Sequence, residues 1–370
     1  MSHSQGRRVF VTGGDRTLNF SGCAFYLMKS LAEELPEFRV EAVPIHSYRT
    51  LYGATAKWGL RMLTDPRPHF FMTRQFQNAN WRASQLEGEA DDVLISLPQI
   101  AISPDVQRFS RIYLYVDMTH RQYLSYGQFN TMPSRVRRGI IAQERASYVL
   151  ADRIFACTLQ VKMQLTEDYA VPPDKIEIVG RGVNMPDVRS GSRGEVRSDG
   201  KLRVCFMGLD FERKGLRDLI EAIDADTMLQ QRVALDVIGP EQTSLPRRDY
   251  MEAHGYIDKN RDLGRLISIL DRCDVGYLFS RSEGIPGSVL DFLSRGRPCL
   301  ISDIPQMGDL TRMPGVVSLP LARGAAVVGD TLRELVTSPE RLRSLKENAG
   351  ASVIAGWKHQ AQCIGRWCSS

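Results

Sequence analysis

Two carboxylates, Glu283 and Asp291, have the types and spacing best suited to chemistry in this chain. Seven residues separate them, and the apolar run 275–279 before them predicts a strand, a loop and a short helix. Glu283 falls in the loop and Asp291 one turn inside the helix, so both can bind one ligand. The N–H groups of the helix start, where an anion is favoured, belong to Gly287, Ser288 and Val289. The pattern indicates a phosphorylated, hydroxyl-rich ligand.

Two adjacent cations, Arg213 and Lys214, precede Gly215 at the start of another predicted helix, which follows a predicted strand over 202–207. Cations beside a helix N-terminus repel one another unless an anion lies between them, because the helix dipole is also positive there. One interpretation is a pair of solvated surface charges. The other is a diphosphate, whose negative charge Lys and Arg can neutralise. Because the acidic loop lies in the same half of the chain, the diphosphate is favoured.

Glycines follow the first predicted strand, 8–12, in the sequence Gly13, Gly14, Asp15. They do not have the G-x-G-x-x-G spacing of a dinucleotide site. They form a tight turn, or they let a substrate approach the backbone at the carboxyl end of the strand. The sequence leaves both interpretations open.

Asp117 and His120 follow another predicted strand, 111–116. A single histidine is usually structural, but polar side chains at the carboxyl end of a buried strand are well placed for a ligand. We therefore predict that His120 or Asp117 contacts the substrate.

Strands and helices alternate along the chain in two separate runs. The stretch 189–200 between them is rich in Arg, Ser, Gly and Asp and has almost no apolar residues. Alternating βα units predict an α/β protein with parallel sheets. We predict a first domain over 1–188, a linker over 189–200, a second domain over 201–350 and a final helix within 351–370.

The composition is that of an ordinary globular protein, with 43% hydrophobic and 25% charged residues among 370. No apolar run approaches the length of a membrane-spanning helix, and the first residues lack the apolar core of a signal peptide, so a cytoplasmic location is expected. The seven cysteines are scattered without metal-ligand spacing. Buried free thiols are therefore expected, and no metal site is predicted.

The formal net charge of +5 is concentrated in the segment 45–82, which has six Lys or Arg and one acid. The same segment is rich in aromatic residues. It could form a solvated helix with one buried face or a flap that binds the acceptor. It could also form an amphipathic helix that lies on the inner face of an anionic membrane. The local excess of cations favours an anionic or lipid-linked acceptor.

The acidic motif resembles the E-x-x-x-x-x-x-x-E element of retaining glycosyltransferases with the GT-B fold, in the large family-4-like group known as glycosyl transferases group 1. Gly208 with Lys214 and Gly215 resembles the glycine-to-lysine-glycine loop of that family. The segments 152–157, 175–184 and, loosely, 305–309 are similar as well. The resemblance extends over most of the chain and is weakest between residues 45 and 90.

This resemblance implies two Rossmann-like βαβ domains whose parallel sheets face each other across a cleft, with the acceptor bound by the first domain and the final helix crossing back to it. It places Glu283 near the hydroxyls of the donor sugar and Asp291 at the nucleotide ribose. Lys214 and the backbone from Gly284 onward would hold the diphosphate. The anomeric configuration would be retained, the leaving phosphate would help to activate the acceptor hydroxyl, and neither a cofactor nor a metal would be needed.

Two positions depart from the family pattern. Asp291 replaces the usual Glu, which shortens the side chain by one methylene. Leu209 follows Gly208 where the family usually has an arginine, and Arg213 is the candidate to replace it.

The sequence thus predicts a retaining glycosyltransferase that moves a sugar from a nucleotide diphosphate sugar to a hydroxyl of a carbohydrate or lipid-linked acceptor, in polysaccharide, glycolipid or other glycoconjugate biosynthesis. Nucleic acid is not expected as a partner. One alternative is a nucleotide-sugar epimerase or hydrolase, which would turn over without an acceptor. The other is a non-catalytic scaffold that binds a nucleotide sugar and attaches to a membrane or a partner through the segment 45–82.

Overall fold

The computed structural model of the protein describes the residues in the ranges 7–15, 22–45, 86, 89–97, 99, 102, 109–126, 130, 132–185, 200–352 and 354–369. Nearly all of the basic, aromatic segment 45–82, and the predicted linker except residue 200, lie outside these residues. The chain forms two compact units. The first comprises Met1–Asn184 and Ala355–Ser370, and the second comprises Met185–Ile354.

The first unit contains a parallel sheet of six strands in the order β2-β1-β3-β4-β5-β6. Its four inner strands have mostly buried side chains, as a parallel sheet covered by helices requires, whereas its two edge strands are partly exposed. They are β1 (Arg8–Thr12), β2 (Arg39–Val43), β3 (Val93–Ser96), β4 (Arg111–Val116), β5 (Arg153–Ala156) and β6 (Ile176–Ile178). The described helices of this unit are α1 (Cys23–Glu34), α2 (His120–Tyr123), α3 (Ser134–Leu150), α4 (Leu159–Tyr169) and a 3-10 turn at Pro173–Lys175.

The C-terminal helix, Trp357–Ser369, packs against α1 within the first unit. Its first residue, Trp357, donates from Nε1 to Asn184 Oδ1 at 2.8 Å. The ring of Trp357 also lies against Gly182, where a Cβ would be only 2.5 Å away. A larger residue at position 182 would displace the tryptophan, so the glycine allows the helix to dock.

The second unit contains a parallel sheet of six strands in the order β12-β11-β10-β7-β8-β9. These are β7 (Leu202–Met207), β8 (Val233–Ile238), β9 (Met251–Gly255), β10 (Val275–Leu278), β11 (Cys299–Ser302) and β12 (Val316–Leu319). Its helices are α5 (Leu216–Asp224), α6 (Thr227–Arg232), α7 (Leu263–Arg272), α8 (Gly287–Ser294), α9 (Gly308–Thr311), α10 (Gly324–Thr337) and α11 (Pro339–Ala351), with 3-10 turns at Gln242–Ser244, Pro305–Met307 and Leu321–Arg323. The helix that completes the first unit is α12 (Trp357–Ser369).

These two units confirm the predicted α/β class with two parallel, Rossmann-like sheets. The core of the second unit joins the buried strands to the apolar stripe of α5, which is Leu216, Leu219, Ile220 and Ile223. A stripe of this spacing is typical of a helix with one face on a sheet. Among the described residues, no helix combines the length and the apolar character needed to cross a bilayer.

Candidate functional site

In the second sheet, β7 and β10 are neighbours, and the chain leaves them in opposite directions. From β7 it proceeds to β8 and β9 on one side, whereas from β10 it proceeds to β11 and β12 on the other. The loops that follow such a pair diverge and leave a crevice at the carboxyl ends of the strands, where open α/β sheets bind ligands. The loops after β7 and β10 contain the predicted cations and the predicted acidic motif.

Two glycines allow the loop after β7 to place Lys214. A Cβ on Gly208 would lie 2.2 Å from Cδ of Lys214, so the lysine side chain passes through the space that any other residue at 208 would fill. Gly215 has a φ of +79°, and a Cβ there would lie 2.3 Å from the carbonyl oxygen of Phe279. Both the left-handed backbone and the close approach to the loop after β10 therefore favour glycine.

Glu283 accepts contacts from both loops on one oxygen. Its Oε1 lies 3.0 Å from Arg213 Nη1, 3.1 Å from Lys214 Nζ and 2.7 Å from Ser280 Oγ. Arg213 is fixed further by Asp210, whose Oδ2 accepts from its Nε at 2.9 Å, and by the carbonyl oxygen of Ser282. The structure thus brings together Glu283, Arg213 and Lys214, which are about 70 residues apart in the chain.

The electrostatics of this cluster keep its groups charged. Burial alone raises the pKa of Glu283, but the charges of Lys214 and Arg213 and the hydrogen bond from Ser280 outweigh it and hold the pKa below its usual value. Burial likewise opposes the charge on Arg213, but Glu283 and Asp210 raise its pKa above the usual value. A buried carboxylate with two cations attracts an anion and can also accept from a hydroxyl group.

The helix α8 begins at Gly287, after a short loop that follows Glu283. Gly284 lies in the connecting loop, and Pro286 occupies the N-cap position without a side-chain cap among the described residues. The first turn of the helix therefore presents backbone N–H groups to the loop. These groups belong to Gly287, Ser288 and Val289.

Asp291 faces a partner that the sequence did not suggest. Its Oδ2 forms an ion pair with Nζ of Lys259, in the loop after β9. Asp291 is 2% exposed, and its Oδ1 has no hydrogen-bond partner among the described residues. The structure thus places the predicted ribose-binding side chain at the same edge of the sheet as Glu283, with one oxygen already engaged.

In the first unit, His120 belongs to a buried network centred on Glu144. The Nδ1 of His120 lies 3.0 Å from Glu144 Oε1, and its backbone N–H donates to the same oxygen at 2.7 Å. Gln99 and Tyr148 donate to Oε1 as well, at 2.7 and 2.8 Å, and Tyr169 donates to Oε2. This network fixes the orientation of the His120 ring at the carboxyl end of β4.

Burial alone raises the pKa of Glu144, but the charge of His120 and the hydrogen bonds from His120, Tyr169 and Gln99 outweigh it and lower the pKa. Glu144 therefore stays ionised beside His120 at neutral pH. No motif in the sequence pointed to Glu144, although the helical period places it on the buried face of α3 with Ile140 and Tyr148.

The other candidates of the first unit lie at the carboxyl ends of its strands. Asp117 follows β4 and is partly buried. Burial raises its pKa, and the charge of Arg181 opposes the shift. Gly13 has a φ of +74°, and a Cβ on Gly14 would lie 2.9 Å from Sδ of Met28. The turn that ends at Asp15 thus packs closely on α1, which gives its glycines a structural role.

Among the described residues, one group has the spacing of metal ligands, and it lies on β8 and β9 rather than in the loops after β7 and β10. Asp236, Glu252 and His254 have ligand atoms within 4.8 Å of one another. The guanidinium of Arg272 pairs with Asp236 and lies 3.1 Å from His254 Nε2 and 3.3 Å from Glu252 Oε2. An arginine therefore supplies the positive charge that a metal would supply in this group.

Among the comparisons with known proteins, the match to a family model lies within the second unit. Residues 201–336 match the family model "Glycosyl transferases group 1". Two curated relatives are named D-inositol 3-phosphate glycosyltransferase. The protein of Rhodococcus erythropolis is 26% identical over 235 residues, which is 57% of this chain and 52% of the relative. The protein of Nocardia farcinica is 25% identical over 236 residues, 57% and 51% of the two chains. The chain thus spans about half the length of these relatives.

Solved structures match the whole chain at low sequence identity. Sucrose-phosphate synthase from Thermosynechococcus elongatus has a TM-score of 0.73 at 13% identity, over 98% of each chain. Anabaena HepE in complex with UDP-glucose has a TM-score of 0.63 at 13% identity, over 98% of this chain and 99% of the other. WaaG, a glycosyltransferase of lipopolysaccharide biosynthesis, has a TM-score of 0.63 at 14% identity, over 96% and 99%.

At these identities, the structural matches establish the fold, and the family model matches most of the second unit. The chain has the GT-B fold, and its residues 201–336 match the glycosyl transferases group 1 model.

Proposed function

We propose that the protein is a retaining glycosyltransferase that transfers a sugar from a nucleoside diphosphate sugar to a hydroxyl group of an acceptor. The observation that carries the proposal is the contact of Glu283 with both Arg213 and Lys214 at the carboxyl ends of β7 and β10. One buried carboxylate beside two cations suits a ligand that has sugar hydroxyls next to a diphosphate.

In the proposed reaction, the bond between the anomeric carbon and the diphosphate oxygen breaks, and a bond forms from that carbon to the acceptor oxygen. The acceptor hydroxyl proton passes to the leaving diphosphate. Arg213, Lys214 and the N–H groups at the start of α8 stabilise the negative charge that develops on the diphosphate. Glu283 accepts a hydrogen bond from a hydroxyl of the sugar. Because protein cations supply the positive charge, we propose that the reaction needs no bound metal.

The comparisons support this proposal at the level of the domain. The curated relatives that match over about half their length are named as glycosyltransferases. HepE, which shares the fold, has been solved with UDP and with UDP-glucose. The retaining stereochemistry rests on the resemblance of the motif from Glu283 to Asp291 to that of retaining enzymes.

We assign the acceptor to the first unit, where His120 and Asp117 lie at the carboxyl end of β4. His120 has a fixed ring orientation, and Asp117 has a raised pKa because it is buried. A carbohydrate or lipid-linked acceptor fits the cationic, aromatic segment 45–82, which lies outside the described residues. That segment is also the proposed contact with an anionic membrane.

A ligand screen followed by a turnover assay tests the proposal. UDP, GDP, ADP and CMP compounds should be compared by thermal shift, since a ligand that binds the folded state raises its melting temperature. The best donor should then release its nucleotide faster when a hydroxyl acceptor is added, at the same rate with and without EDTA, and NMR should show a product with the donor's anomeric configuration. Turnover independent of any acceptor would indicate an epimerase or hydrolase, and binding without turnover would indicate a scaffold. Failure of UDP, GDP and ADP to bind would contradict the proposal of a nucleoside diphosphate donor.

A further inference from the structure

The pair of Lys259 and Asp291 links two loops at the carboxyl edge of the second sheet. Lys259 follows β9, the outermost strand on its side, whereas Asp291 lies in α8 after β10. The strands β7 and β8 stand between β9 and β10 in the sheet. The loop with Lys259 therefore reaches past the ends of two strands to the helix that follows Glu283.

Only one of the two carboxylate oxygens of Asp291 has a partner among the described residues. Lys259 engages Oδ2 of Asp291, but Oδ1 has no hydrogen-bond partner among the described residues, although the aspartate is 2% exposed. One turn earlier on the same helix, the buried Oγ of Ser288 is likewise without a partner among those residues. Leaving a buried polar atom unpaired costs about 1–3 kcal/mol, and more for a charged group. Two such atoms, three residues apart on a helix, face the same side and indicate a hydroxyl-bearing ligand.

A staple, meaning an ion pair that only holds two loops together, would explain the contact between Lys259 and Oδ2 of Asp291. It would not explain the unpaired oxygen, because a staple gains most when both oxygens of the carboxylate are bonded. The chain offers a staple for comparison: Lys346 and Asp274 meet at 2.5 Å, with side chains 28% and 22% exposed, at the amino end of β10. Asp274 also accepts from the backbone N–H of Arg203 through Oδ2, at 2.8 Å. Both of its oxygens are therefore bonded, unlike those of Asp291.

We propose that Lys259 is a positioning residue that determines which hydroxyl group of the nucleotide ribose is bound by Asp291. By occupying Oδ2, it orients Asp291 so that only Oδ1 accepts a hydrogen bond, from one hydroxyl of the ribose. A carboxylate with both oxygens available could accept from both neighbouring hydroxyls. This inference rests on the proposed function, since it assumes that a nucleoside diphosphate binds at this edge.

The experiment measures the affinities of UDP, GDP and ADP and of their 2′-deoxy and 3′-deoxy analogues by calorimetry. In the wild-type protein, removing one of the two hydroxyls should weaken binding by about tenfold, as expected for a hydrogen bond to a charged group, and removing the other should have little effect. Lys259→Met should weaken binding of the parent nucleotide and bring the two deoxy analogues to similar affinities. Lys259→Arg, which keeps the charge, should preserve the difference between them.

Lys346→Met is the matched control, because it also breaks a partly buried Lys–Asp pair but at the other end of the sheet. It should leave all nucleotide affinities unchanged. If the nucleotides bind and Lys259→Met keeps the wild-type ratio between the two deoxy analogues, the inference is wrong while the proposed function stands. If UDP, GDP and ADP all fail to bind the wild-type protein, the proposed nucleoside diphosphate donor is contradicted, and the inference fails with it.

Discussion

Lys214 and Glu283 meet at 3.1 Å although they follow different strands of the second sheet. The contact exists because β7 and β10 are neighbours and because the lysine side chain crosses the space over Gly208, which has no Cβ. The glycine at position 208 and the order of the strands thus together bring the lysine to the carboxylate.

Replacing Gly208 with alanine should weaken nucleotide binding. The new Cβ would lie 2.2 Å from Cδ of Lys214, so the lysine must move away from Glu283 and from the diphosphate. We expect affinity for the best nucleoside diphosphate to fall by about tenfold, the value of one charged hydrogen bond. Gly264→Ala in α7 is the control, since a Cβ there would meet nothing within 4 Å. Equal affinities for the two variants would show that the route of Lys214 over residue 208 is unimportant.

Glu283→Gln should separate binding from transfer. Without the carboxylate, Arg213 and Lys214 keep their full positive charge, so the free nucleoside diphosphate should bind as tightly as before or more tightly. Sugar transfer should fall by about 100-fold or more, as when one preorganised polar contact to the reacting group is removed. Glu347→Gln, on an exposed face of α11, should change neither quantity. A parallel loss of nucleotide affinity and transfer would contradict the role proposed for Glu283.

Glu144→Gln should destabilise the first unit in a pH-dependent manner. Because the pKa of Glu144 is lowered in the folded state, its stabilisation is fully present above the unfolded value of about 4.3 and is lost as the pH falls through the folded value. At pH 7 the variant should lose about 3 kcal/mol, the value of one or two hydrogen bonds to a buried charged group. The difference from wild type should shrink below pH about 4.3.

Chemical denaturation at several pH values, followed by a probe in the first unit, measures this effect. Glu167→Gln in α4 provides an exposed control, and its stability should follow that of the wild type throughout. A difference between Glu144→Gln and wild type that stays constant down to low pH would show that the charge of Glu144 is not what stabilises the network.

Neutralising the cations of the segment 45–82 should reduce binding to anionic membranes. We expect the triple variant Arg61→Gln, Arg67→Gln, Arg74→Gln to sediment less with phosphatidylserine vesicles than wild type, with a loss of about 1 kcal/mol for each charge near the surface. The control removes three exposed cations of the second unit by Arg232→Gln, Arg247→Gln and Arg343→Gln. If both triple variants sediment like the wild type, the segment does not contact membranes.

Local pattern was sufficient for much of the fold. The alternation of apolar strands with helical stripes predicted both parallel sheets, because a buried strand and an amphipathic helix each have a period that is visible in a single sequence. Gly208, Lys214, Gly215 and Glu283 were proposed from the acidic motif, from the cations at a helix start and from the resemblance to the glycosyltransferase loop. In the structure these four residues lie at the same edge of the second sheet.

The pairings between distant residues could not be predicted in this way. Lys259 binds Asp291 because of where β9 stands in the sheet, and Glu144 reaches His120 because α3 packs beside the end of β4. The sequence by itself determined which residues stand at strand ends and helix starts. Only the tertiary structure decided which of them meet, because strand order and helix packing depend on how all the apolar surfaces of a unit are buried together.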